Sequence, residues 1–163
     1  MFRDRVGDFE SEEGRKFLLS RSPLTHVEKI KRPLLIGQGA QDPRVKQSEA
    51  DQIVKAMEEK KIPVTYVLYP DEGHGFVRPE NRMSFYAVTE AFLAEHLGGR
   101  AEPIGDAFAG SSIEVPAGAD GVKGLAAALR LRGEALPAQG EENVPPAAEQ
   151  KPSASRRPAA GAR

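Results

Sequence analysis

Two short apolar runs, each closing on a glycine-rich loop and separated by one helical pattern, constrain this chain more than any other feature. Pro33-Leu-Leu-Ile36 leads into Gly37-Gln-Gly-Ala-Gln-Asp-Pro-Arg-Val45. Val64-Thr-Tyr-Val-Leu-Tyr69 leads into Pro70-Asp-Glu-Gly-His-Gly-Phe76. The first run has the composition of a buried strand, with Pro tolerated at its first position. The second is β-branched and aromatic, the chemistry of a strand. Between them Ala50, Ile53, Val54 and Met57 recur at i, i+3, i+4 and i+7, which predicts a helix over 46–60. Strand, helix and strand in so short a unit require parallel strands joined by a right-handed crossover.

Further elements flank this unit. Glu12 to Leu19 reads as a short helix with Ser11 as N-cap, ended by Ser22-Pro23 because the residue before Pro avoids the α region. Residues 80–97 read as a helix with Phe85, Val88 and Phe92 on one stripe, Leu93 and Leu97 beside it, and Gly98-Gly99 as the stop. Ile104 to Pro116 reads as extended chain lying along the surface. All ten Phe and Tyr residues lie at or before Phe108. Beyond Asp120 the chain is dominated by Ala, Gly, Pro, Glu and Arg, a composition that buries too little apolar area to offset its ordering entropy. The expected organisation is therefore an α/β domain over 1–118 and a low-complexity, disordered tail over 119–163. A helix at 124–132 would be short for independent stability.

Composition narrows the function. A net charge of −1 provides no field for nucleic acid or anionic lipid. No apolar run approaches the roughly 20 residues of a membrane span. The chain contains no Cys, so disulfides and thiolate metal sites are excluded. The N-terminus, Met1-Phe-Arg-Asp-Arg-Val-Gly7, has no signal-peptide apolar core. These features describe a soluble protein and leave its compartment open between cytoplasm and, with an upstream signal, periplasm.

Open parallel sheets collect function at the carboxyl ends of their strands. Asp42 and His74 both fall there, on consecutive post-strand loops. An acid on one loop and a histidine on the next, in that order, form the second half of a Ser–Asp–His triad. The histidine takes a proton with one ring nitrogen and donates its other N–H to the carboxylate, which holds the tautomer. Gly73 and Gly75 free the loop to turn sharply and expose the ring. No Gly-x-Ser-x-Gly turn occurs in the chain. Ser20 and Ser22 lack the flanking glycines, and Ser111 and Ser112 follow the histidine rather than precede it. Gly37-Gln-Gly-Ala-Gln-Asp42 imitates the start of a dinucleotide fingerprint, but Asp stands where its last Gly belongs and would repel a pyrophosphate. His26, His74 and His96 are too dispersed for a metal site, so no metal or other cofactor is expected. His26 and His96 read as surface or helix-end residues, and Lys29-Ile-Lys-Arg32 as a solvated strand entry.

From about Arg5 to about Val122 the chain resembles the C-terminal half of the catalytic domain of prolyl oligopeptidase-type serine peptidases. Within that group it looks closest to the dipeptidyl- and acylaminoacyl-peptidase-like members. The carrying segments are Ser22-Pro-Leu24, Pro33 to Val45, Pro63-Val-Thr-Tyr66 and Tyr69 to Phe76. The resemblance implies half of an α/β-hydrolase fold, with Asp42 as catalytic acid, His74 as catalytic base and Arg44 as a residue that holds the peptide substrate. It also implies two partners, a peptide substrate and the N-terminal half of the hydrolase domain. That half would carry the nucleophile, so this chain alone is expected to be inactive. An esterase of the same fold, or a non-catalytic interaction module, would share much of the pattern.

Overall fold

The structure, a computed structural model, describes residues 5–135. In chain order it contains α1 (Glu12–Arg21), β1 (Leu34–Gly39), α2 (Gln47–Glu59), β2 (Val64–Tyr69), α3 (Pro79–Leu97), β3 (Glu114–Ala117) and α4 (Leu125–Ala135). Two 3-10 turns, Leu24–Lys29 and Ala119–Gly121, link them. Ser11 caps α1 as its type demands, its hydroxyl accepting from the Gly14 N–H at 3.0 Å.

The sheet has the order β1-β2-β3. β1 and β2 are parallel, in register from Leu34 opposite Val64 to Gly39 opposite Tyr69. This is the strand–helix–strand unit expected from the two apolar runs, and the arrangement matches part of an α/β-hydrolase fold. β2 is central and buried along its whole length. Its side chains alternate between two cores. Val67 and Tyr69 pack with Val88, Phe92, Phe108 and Leu125 on one face. Val64, Tyr66 and Leu68 pack with Val27, Val54 and Met57 on the other. Burial on both faces explains why β2 reads as a continuous apolar run rather than an alternating one.

Three expectations are corrected. The segment read as extended surface chain ends in β3, which pairs antiparallel to β2. Tyr66 faces Ala117 and Leu68 faces Glu114, so β3 passes three residues where β2 passes two, as a bulge does. Leu93 and Leu97 are exposed, because the buried arc of α3 runs through Asn81, Ser84, Val88, Ala91 and Phe92. The boundary at 119 is also displaced. Val122, Leu125 and Ala128 are buried against Val88, Phe92 and Phe108, so packing overrides the low-complexity composition at least this far. Residues 136–163, the remainder of the expected tail, lie outside the described residues. Among the described residues no helix is long and apolar enough to cross a membrane.

Candidate active site

The parallel register of β1 and β2 carries the two glycine-rich loops to the same end of the sheet. Glycine is what lets them touch there. A Cβ on Gly39, the last residue of β1, would lie 2.3 Å from the Gly73 carbonyl oxygen and 2.5 Å from that of Glu72. Both obstacles are backbone, so any side chain at Gly39 would force the loops apart. Backbone bonds then join them: Ala40 N–H donates to the Tyr69 carbonyl at 3.0 Å, and Gln41 N–H to the Glu72 carbonyl at 2.9 Å. The Gln41 amide adds a bond to the Pro70 carbonyl at 3.1 Å. The second flanking glycine of the histidine, Gly75, has φ +105, a region that L side chains rarely adopt.

Within this frame His74 Nδ1 lies 2.8 Å from Asp42 Oδ2. A carboxylate only accepts, so the imidazole donates from Nδ1, and Nε2 is left for another partner. The Asp42 side chain is 8% exposed and that of His74 is 48% exposed. The carboxylate is thus sheltered while the imidazole faces solvent. The other Asp42 oxygen, Oδ1, accepts from the N–H groups of Arg44 at 2.8 Å and Val45 at 3.0 Å. Burial alone would raise the Asp42 pKa. The Val45 and Arg44 amides, with His74, outweigh it and hold the carboxyl below its ordinary value. Gln38, buried at the end of β1, donates to the Gly39 and Val45 carbonyls at 2.9 and 3.0 Å and stiffens the same turn.

The structure therefore brings Asp42 and His74 together and sets Arg44 on the acid loop, with its residue exposed to solvent. His26 and His96 stand apart from this pair. His26 Nε2 meets the Ser20 carbonyl at 3.1 Å, and the His96 ring lies against Phe92 with centroids 4.5 Å apart. Ser111 and Ser112 are engaged elsewhere: Ser111 Oγ accepts from the Ile113 N–H, and Ser112 Oγ donates to Asp71. Sequence reasoning missed the supporting residues Gln38, Gly39, Gln41 and Glu72. Their presence inside the two loop motifs was the available signal, but hydrophobic periodicity is blind to glycines and to polar residues such as Gln38 and Glu72 that are buried with hydrogen-bond partners.

Comparison with known proteins adds to this geometry. The model of the prolyl oligopeptidase family matches residues 3–100. A dipeptidyl aminopeptidase BIII from Pseudoxanthomonas mexicana is 70% identical over 126 residues, covering 77% of this chain and 18% of that protein. A dipeptidyl peptidase family member 6 from Caenorhabditis elegans is 54% identical over 96 residues, covering 59% of this chain and 13% of that protein. The human acylamino-acid-releasing enzyme is 28% identical over 81 residues, covering 50% of this chain and 11% of that protein. The chain thus spans less than a fifth of the length of each of these relatives.

Proposed function

Because this chain belongs to the prolyl oligopeptidase family of serine peptidases, we propose that it supplies the acid and base of a peptide-hydrolysing Ser–Asp–His triad. Asp42 is the acid and His74 the base. The observation that carries this reading is the 2.8 Å contact between His74 Nδ1 and Asp42 at the end of two parallel strands. In the reaction, His74 Nε2 takes the proton of a serine hydroxyl as the oxygen attacks the scissile carbonyl. The imidazolium then returns that proton to the leaving amine. Asp42 keeps its own charge, holds the productive tautomer and stabilises the imidazolium.

The serine is contributed by residues outside these 163. The motive is the absence of a Gly-x-Ser-x-Gly turn before Asp42, where the order of the triad puts it. Arg44, two residues beyond the acid and exposed, helps to hold the bound peptide. The names of the relatives, dipeptidyl and acylamino-acid-releasing peptidases, point to substrates cleaved near a peptide N-terminus.

Complementation tests the proposal. The chain alone is expected neither to hydrolyse peptides nor to take up a serine-directed fluorophosphonate. Co-expression with the part of the Pseudoxanthomonas relative that lies outside the matched region is expected to restore hydrolysis that His74→Ala abolishes. Labelling of a serine in the chain alone would refute the external nucleophile. A soluble, serine-labelled complex whose hydrolysis is indifferent to His74 would refute the triad.

A further inference from the structure

We propose that Glu72 is the positioning residue of the histidine loop. Its side chain and its backbone together clamp the segment in which His74 meets Asp42. This rests on the reading of His74 as the base and goes beyond it, by naming what holds that base in place.

Glu72 stands two residues before His74 and is 2% exposed. A carboxylate so buried is costly unless donors surround it. Oε2 accepts from the Val77 N–H at 2.8 Å. Oε1 accepts from the Arg78 N–H at 2.9 Å and from the Asn81 amide at 2.8 Å. Burial alone would raise the Glu72 pKa; the Val77 N–H, Asn81 and the Arg78 N–H outweigh it and hold the carboxyl below its ordinary value. The ionised form is therefore the one this site is built around.

The geometry closes a ring. The carbonyl of Glu72 is bonded to Gln41 on the acid loop, and its carboxylate is bonded to Val77 and Arg78 at the entry to α3. Residues 73–76, His74 among them, span between these anchors. Two of those four are glycines, which lose more conformational freedom on ordering than any other residue. A Gly-His-Gly segment with no anchor would leave the imidazole many orientations. Glu72 fixes both ends at once. Asn81, fully buried, braces the clamp, since its carbonyl oxygen accepts from the Ser112 N–H at 2.9 Å while its amide holds Glu72.

NMR on the full chain, kept dilute enough to remain unassociated, tests this without needing catalysis. In the unaltered protein the Val77 and Arg78 amides are expected to resist hydrogen exchange. His74 is expected to show a low-field Nδ1 proton, assigned by its loss in Asp42→Ala. Glu72→Gln offers an N–H₂ where an acceptor is required. It is expected to speed exchange at Val77 and Arg78 by roughly tenfold or more and to broaden away the His74 proton, with β1 and β2 amides unchanged. A folded Glu72→Gln that keeps the His74 proton sharp overturns the proposal. If Glu72→Gln does not fold, Glu72→Asp, whose shorter arm keeps the charge but cannot reach all three donors, is read by the same criteria. In the unaltered protein, free-chain exchange at Val77 and Arg78, or no His74 ring proton, also overturns it. The triad reading fails separately: an intact ring signal without hydrolysis in the complemented enzyme removes the chemistry and leaves the clamp standing.

Discussion

At the scale of single residues, the Asp42–His74 pair makes different demands on its two members. As the proposed acid, Asp42 would act by charge and orientation. Asp42→Asn in the complemented enzyme should leave the loop near its place, yet lower kcat by an order of about 10⁴, because an amide no longer enforces the tautomer. Steady-state kinetics decide this, and a loss below about tenfold would remove Asp42 from the mechanism. Arg44 should behave otherwise. It is proposed to hold substrate before and during reaction alike, so Arg44→Ala should raise KM by about tenfold with kcat little changed. Three carboxyls share a pH signature. Ser112, and also Arg78 and Asn81, hold Asp71 below its ordinary value, while Asp42 and Glu72 are held low by the N–H donors already named. A folded-state pKa below the unfolded one means that the unfolded chain binds more protons in acid. The stabilisation is complete above the ordinary carboxylate range, about 4, and is lost as the pH falls through it toward the folded values. Urea midpoints should therefore fall between about pH 6 and about pH 3, and a flat profile would contradict these assignments.

At the scale of elements, the contact between the two loops depends on one missing side chain. Gly39→Ala would drive a methyl into the backbone of Gly73 and Glu72. Destabilisation of about 1–3 kcal/mol is expected, with separation of Asp42 from His74. Chemical denaturation and the His74 ring proton would report the two effects. α4 offers a test of a different kind. Leu125 is fully buried beside Val88 and Phe108, so Leu125→Ala should cost about 2–5 kcal/mol. Truncation after residue 118 should destabilise the domain for the same reason. Limited proteolysis that trims to 118 without loss of stability would show that α4 adds nothing.

At the scale of the whole molecule, the sheet is asymmetric. β2 has a neighbour on each side, whereas β1, among the described residues, pairs with β2 alone. Leu34, Leu35 and Ile36 on β1 are only half-buried. A parallel strand normally lies inside a sheet, and such an edge offers unpaired N–H and C=O groups beside apolar side chains. The chain by itself should self-associate in a concentration-dependent way by sedimentation velocity. The proposed serine-bearing half should suppress this by pairing with β1. A monodisperse monomer with cooperative unfolding would argue that this edge needs no partner.

The residues alone determined β1, α2 and β2 to within about three positions, because β-branched runs, a 3.6-residue stripe and glycine punctuation all act locally. They also determined that Asp42 and His74 would share one end of the sheet, since parallel strands leave no other arrangement. Tertiary structure decided the rest. Asn81 and Ser84 face inward although they are polar, because Glu72, Ser112 and Tyr69 satisfy them there, and that choice rotates α3 away from Leu93 and Leu97. Leu125 and Ala128 belong to the core although their surroundings are low in complexity, because Val67, Val88 and Phe108 present a face for them to cover. Periodicity records what a segment can bury. Only its neighbours decide what it does bury, and which buried polar groups find partners.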